Sequence, residues 1–425
     1  MIRAMSIMAF LSVSPRFLAF GFFTAFFSSF GQTFFIALSS ADIRAAFNLS
    51  HGDFGLIYSS ATLLSAGLLI WAGRKIDDID LRPYTSIVCA GLALACLGMA
   101  SVGGALWLIP VIFGLRFTGQ GLLSHISTVS MARYFDTHRG KALSISSMGY
   151  PMGEALFPTL AVMLIATFGW RHMWTGIGVL LMVVLVPFML WLLKGHGERQ
   201  KKLDDHTRTS AGLSKLTGWT RRQVLSDPRF YVLLPSYLAM SFIGTGFFFH
   251  QVHLSESKGW NLSVFVSFFI VYAIAQVVSA LLGGVLVDRF NARRMMRYYL
   301  FPAVIGLGII ATFNAPWAGA AFMAFMGLSA GMIGVVHGAI WAEIYGIAHL
   351  GAIKAMGTAL MVLSTALSPP IMGLAIDAGI TMEAIALTCA AYSVLAAVLV
   401  SIAFARSRVQ THYKSCDSTS NVRRR

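Results

Sequence analysis

Two charged side chains lie deep inside long apolar stretches, and they bound the chemistry open to this chain. Arg116 stands in Arg116-Phe-Thr-Gly119-Gln120-Gly121, and Glu154 in Gly149-Tyr150-Pro151-Met-Gly153-Glu154. A charge in hydrocarbon is costly, so each marks a functional position by default. At about 1.5 Å of rise per residue, Arg116 lies roughly 12 Å from one end of its stretch and Glu154 roughly 18 Å from the opposite end of its own. In an apolar core about 30 Å thick these depths coincide, which permits an ion pair. Two readings stay open. A permanent pair would only neutralise two buried charges. A switchable pair would let protonation of Glu154 free Arg116 for an anionic solute, coupling proton movement to anion movement.

Neutral polar groups at similar depth could complete a solute site: Gln32, Gln120, Tyr150, Tyr272 and Gln276. Each could equally serve as a hydrogen bond between helices. Pro151 is placed to bend its helix and expose backbone carbonyls beside Tyr150. His125 and His337 occupy nearly equivalent places, with Trp341 one turn beyond His337, and fit either gating or helix packing. His250 and His253 fall at an outer mouth. No His, Cys or Asp spacing matches a metal site, no Walker-type loop is present, and no cofactor is expected. Gly327-Leu-Ser329-Ala-Gly331 fits the nucleophile elbow of hydrolases, but that motif needs a strand–turn–helix context. Here it sits inside a continuous apolar helix, where small residues permit close packing, so no enzyme activity is expected.

The elements that must position these residues are membrane helices. The chain has 425 residues, 57% hydrophobic and 12% charged, with a mean hydropathy of +0.73. Soluble globular chains carry about 25% charged residues. Apolar runs near the roughly 20 residues needed to cross a bilayer recur throughout. They predict twelve spans, from 17–38 to 382–405. The net charge of +15 is topological and does not point to nucleic acid. With the N-terminus inside, the outer loops carry only Arg44, Arg171 and Lys258, and nearly all other basic residues fall on the cytoplasmic side. That asymmetry places both termini in the cytoplasm. Cys89, Cys96, Cys389 and Cys416 fall in spans or in the cytoplasmic tail, so no disulfide framework is indicated. Asn48-Leu-Ser50 and Asn261-Leu-Ser263 read as helix caps, with Ser50 and Asp53 at capping-box spacing.

The chain divides into residues 1–194, a basic linker at 195–229, residues 230–405 and a basic tail at 406–425. Within the linker, the stretch from Gly218 predicts a short amphipathic helix. The two long segments are related. A single constant offset aligns Gly73, Asp77 and Arg82 with Gly284, Asp288 and Arg293, and also Tyr134 with Tyr345, Gly140 with Gly351 and Pro158 with Pro369. One shift aligning features so far apart indicates two homologous halves.

Gly284-Val-Leu-Val-Asp288-Arg289-Phe-Asn-Ala-Arg293-Arg294 resembles the G-x-x-x-D-R-x-x-x-R-R loop of the major facilitator superfamily of secondary transporters. Arg133-Tyr-Phe-Asp-Thr-His-Arg139-Gly140-Lys141-Ala-Leu resembles the loop after span four in many facilitators, and Arg116 to Gly121 resembles that span's R-x-x-x-G-x-G signature. The resemblance implies an all-α polytopic membrane protein, with twelve helices in two pseudo-symmetric six-helix bundles and the solute path between them. It implies alternating access driven by an ion or solute gradient. It also implies gating by Gly73, Asp77, Arg82, Arg139, Gly284, Asp288, Arg289 and Arg293, with Asp77 facing the start of span eleven and Asp288 the start of span five.

The solute expected is a small organic anion such as a monocarboxylate, because Arg116 is the one deep cation. Gln276 stands where proton-linked monocarboxylate porters carry an acid–Arg pair. Efflux of lipophilic compounds is the alternative, on the phenylalanine-rich walls and 21 methionines. A non-transporting receptor on the same fold is a third reading. The expected partners are a small solute and the lipid bilayer of a bacterial inner membrane, with the monomer as the working form.

Overall fold

The computed structural model describes residues 14–76, 79–135, 138–197, 218–346 and 349–420, with side chains described as far as residue 404. Asp77 lies outside these residues. The described residues are helical throughout and contain no β-strand, only an isolated bridge between Gly218 and Gly346. Among the described residues, ten helices are long and apolar enough to cross a membrane, from His51–Ile76 to Met382–Phe404. Many of their large apolar side chains, including Leu64, Ile70, Leu94, Val183 and Leu281, are exposed and have only lipid to meet.

Two of the twelve expected spans fall outside these ten. Span one is longer than expected and broken. Pro15–Gly31 and Thr33–Phe47 meet at 43°, with Gln32 extended at the break. Span nine is the short helix Phe301–Thr312, which falls below the length of a crossing helix and is preceded by turns at 296–300. The remaining spans are two (His51–Ile76), three (Leu81–Ser101), four (Ala105–Tyr134), five (Arg139–Phe168), six (Trp170–Leu192), seven (Pro228–Phe249), eight (Leu262–Phe290), ten (Pro316–Tyr345), eleven (Leu350–Asp377) and twelve (Met382–Phe404).

Local sequence explains several boundaries. Ser50 and Asp53 form the expected capping box at the start of span two, and the Asn261 side chain caps the start of span eight. Span five breaks at Met148, three residues before Pro151, where the missing proline N–H leaves a helical carbonyl without its donor. The helix expected in the linker is short, Arg221–Leu225, capped by Thr220 and Gln223. Beside it, the Trp219 N–H donates to the Tyr345 carbonyl at 2.8 Å.

The chain forms two compact units. One holds spans one to six together with Thr245–Ala273 and Thr365–Ile380; the other holds the earlier part of span seven, Ile274–Ser364 and span twelve. Within the first, small residues bring helix backbones together. A Cβ on Gly149 would lie 2.7 Å from the Phe26 nitrogen, and one on Gly119 would lie 2.7 Å from the Gly31 Cα. Within the second, Gly331 of the apolar G-x-S-x-G stretch abuts the Gln276 backbone of span eight. Ser329 accepts from the Ala303 N–H at 2.9 Å. That serine is fully buried in a helix, as packing and not nucleophilic chemistry requires.

Candidate functional site

Span four does not run as a regular α-helix through its charged motif. Arg116–Leu123 adopts the wider π-helical turn, the form that inserts a residue and often marks a functional position. Beside it, span one is interrupted at Gln32, so the Gly31 carbonyl no longer has a helical donor above it. Arg116 fills that vacancy. Its Nη1 donates to the Gly31 carbonyl at 3.2 Å and to Thr33 Oγ1 at 3.3 Å. Its guanidinium lies 5.2 Å from the Tyr58 ring centroid, and the Tyr58 hydroxyl is 2.7 Å from Thr33 Oγ1. Gly31 and Gly119 make this possible, since a side chain on either would collide with the other helix's backbone.

Arg116 is 2% exposed, and Nε is buried without an acceptor. Among the described residues the desolvated guanidinium is met by a carbonyl, a hydroxyl and a ring face, and by no counter-anion. The ion pair with Glu154 that the depths permitted is not formed, because Arg116 is turned to the break in span one. Gln32 and Gln120 flank this junction, each partly exposed and without a side-chain hydrogen bond among the described residues.

Glu154 faces elsewhere. Its Oε2 is buried with no donor, while the residue as a whole is partly exposed. Its electrostatic neighbour is Tyr272 of span eight, which is 5% exposed and packs edge-on against Phe248 at 5.1 Å. One turn along span five, Phe157 meets Phe26 and Phe30 of span one, each at 4.6 Å between ring centroids. Phe35 stacks edge-on against Trp174, whose Nε1 donates to Ser39 at 3.1 Å. This buried carboxyl oxygen without a donor thus lies one turn from an aromatic wall. The Tyr150 hydroxyl lies 3.5 Å from the Ser124 carbonyl of span four.

In the other unit, Gln276 has a buried Oε1 without a donor. His337 stacks on Tyr237 with centroids 4.0 Å apart, and neither ring nitrogen finds a hydrogen bond.

The loop residues divide similarly. Gly73 packs against His125, whose Nε2 lies 3.0 Å from the Gly73 carbonyl. Gly284 faces open space. Arg82 Nε donates to the Leu193 carbonyl at 3.3 Å, which ties span three to the end of span six. Asp288 is exposed and makes no hydrogen bond among the described residues. The acid that caps this turn is Glu343, which accepts from the backbone N–H groups of Ala292 at 2.6 Å and Arg293 at 3.2 Å. Arg293 also donates to the Glu343 carbonyl. Arg289 lies over the Phe290 ring at 5.3 Å, and Arg139 begins the first helical segment of span five.

Thr33, Tyr58 and Glu343 were not singled out from the sequence. Thr33 adjoins the polar interruption Ser28 to Gln32, and Tyr58 is a polar ring well inside span two. Glu343 stands two residues after Trp341, in the last turn of span ten.

Comparison with known proteins agrees with this architecture. The family model of the Major Facilitator Superfamily matches residues 21–271 and 239–415. An uncharacterized 38 kDa protein in the 23S RNA operon of Thermoproteus tenax is 28% identical over 237 residues; the match spans 55% of this chain and 55% of that protein. The chain is similar in fold to a bacterial homologue of the human lysosomal transporter Spinster, in an inward-facing and occupied conformation. The TM-score is 0.65 at 16% identity, covering 92% of this chain and 96% of the other. It is similar also to the nucleoside transporter NupG, with a TM-score of 0.65 at 17% identity, covering 94% and 99%. The broken span one, the π-turn at Arg116, the paired loop motifs and the family match lead to one conclusion: the chain belongs to the major facilitator superfamily, a family of membrane transporters and not of enzymes.

Proposed function

We propose that this chain is a proton-coupled secondary active transporter that carries a small organic solute across a bacterial inner membrane by alternating access, with Glu154 as the proton-coupling group. The two homologous halves, residues 1–194 and 230–405, are the moving bodies, both termini are cytoplasmic and the monomer is the working form. The observation that carries the reading is the state of Glu154. It is a membrane-embedded carboxyl group with no cation beside it and one oxygen buried without a donor. Its charge must be met by a proton or by a cationic solute whenever the site is closed to water.

The substrate class supported best is a solute with an aromatic or lipophilic body, neutral or cationic. The ring wall of Phe26, Phe30 and Phe157 offers apolar surface and the negative faces that attract cations. This moves the preference from an organic anion towards the efflux reading, because Arg116 is already committed to Gly31, Thr33 and Tyr58. The anion reading keeps one observation in its favour, the Arg116 Nε buried without an acceptor.

Thermal stabilisation of purified protein by tetraphenylphosphonium and by benzoate separates the two. Stabilisation by the lipophilic cation that persists in Arg116→Gln and loses its pH dependence in Glu154→Gln supports the proposal. Stabilisation by benzoate alone, lost in Arg116→Gln, would restore the anion reading.

A further inference from the structure

Three histidines meet at the outer end of the first compact unit. His51 opens span two, and its ring centroid lies 4.5 Å from that of His253 and 5.7 Å from that of His250. His250 and His253 follow span seven, so the rings come from both homologous halves. They enclose a small space with Ser40, Arg44 and Phe249. The same segments are joined by side chains that bond to backbone groups. His250 Nε2 lies 3.0 Å from the Pro369 carbonyl of span eleven, and Gln251 Nε2 donates to the Phe34 carbonyl of span one at 2.6 Å. The Asp377 carboxylate, at the end of span eleven, accepts from the His51 N–H at 3.0 Å and the Gly52 N–H at 2.7 Å. A Cβ on Gly55 would lie 2.8 Å from the Pro369 carbonyl oxygen, so these helices have no slack between them.

We propose that His51, His250 and His253 form an acid-sensitive latch that holds the outer mouth shut while the rings are neutral and releases it when they take up protons. The inference rests on the alternating-access reading above.

The surrounding charges fit a latch of this sign. Arg44 from the tail of span one acts on all three rings. Asp377 acts on His51 and His253, and Glu256 on His253. Asp53 is turned into the span-two capping box with Ser50. With the rings protonated, four cations would face two carboxylates in one small space. Burial and the neighbouring Arg44 push His250 below the ordinary histidine range, and burial does the same to His253. The shut state therefore favours neutral rings. A ring released into water regains its ordinary affinity for a proton, so stability of the shut state is present above the released-state pKa and is lost as pH falls through it. The ratio of open to shut should rise between pH 8 and pH 5 by roughly 30-fold for each ring so released, taking about 6.5 for an exposed histidine.

The test is a spin-label distance measurement in nanodiscs, on protein with its four cysteines replaced. Labels at Ala46→Cys and Ser257→Cys, both exposed, report the outer mouth. Labels at Ala45→Cys and Ile380→Cys provide an independent pair, should the first disturb folding. A longer-distance population that grows from pH 8 to pH 5 and loses most of its growth in His51→Gln/His253→Gln is the expected result. Distributions that superimpose at the two pH values would overturn the latch, as would an unchanged pH response in the double variant. No transported solute is needed, so the latch and the transport reading can fail separately.

Discussion

The junction between spans one and four can be tested by adding one methyl group. In Gly31→Ala the new Cβ would overlap the Leu115 carbonyl oxygen and lie 2.6 Å from the Gln120 nitrogen and 2.8 Å from the Gly119 Cα. All three are backbone atoms, so no side chain can swing aside and the helices must separate. Overpacking of this kind costs about 1–3 kcal/mol, and the upper end applies here. Separation would also lengthen the 3.2 Å bond from Arg116 to the Gly31 carbonyl, and a bond from a charged donor contributes about 1.5–3 kcal/mol. Thr33 and Tyr58 would retain part of the guanidinium's surroundings, so a total near 3 kcal/mol is expected rather than the full sum. The readout is the midpoint of thermal unfolding in detergent, which should fall by several degrees. Arg116→Gln should couple to it: the double variant should lose at least about 1 kcal/mol less than the two single losses added together, since both act on one junction. A wild-type midpoint for Gly31→Ala, or simple additivity, would refute the claim that Arg116 serves the break in span one.

Two further substitutions probe the caps. Asp377→Asn removes the charge that meets the first N–H groups of span two, and should weaken the shut outer mouth by about 0.5–1 kcal/mol, read as a larger long-distance population in the spin-label measurement at pH 8. Glu343→Ala removes the acceptor of the Ala292 and Arg293 N–H groups; it should cost about 1 kcal/mol and speed hydrogen exchange at those amides, whereas Asp288→Asn should leave their exchange unchanged.

Membrane architecture was legible because it follows from composition and from the length of the apolar runs. The caps at Ser50 and Asn261 were legible because they depend on side chains at fixed spacing. The surroundings of Arg116 were only half legible. A deep arginine shows itself by its charge, but its partner is a backbone carbonyl, which has no residue type to read. Only the polar run from Ser28 to Thr33 hinted at the break that frees it. Equal depth was a sound reason to allow a pair with Glu154, yet depth fixes one coordinate and leaves the rotation of each helix open. Span five turns Gly149 and Gly153 to span one, which carries Glu154 round towards Tyr272. His51 escaped notice because, by sequence, it is only the first residue of a span; two segments far along the chain make it one of three.

The central claim is that Glu154 carries the coupling proton, and proteoliposome flux tests it most directly. With tetraphenylphosphonium as the solute, an imposed pH gradient should drive accumulation in the wild type. Glu154→Gln should abolish that response while still exchanging labelled for unlabelled solute across the membrane, since only the proton site is lost. Accumulation in Glu154→Gln that still follows the pH gradient as in the wild type would contradict the account.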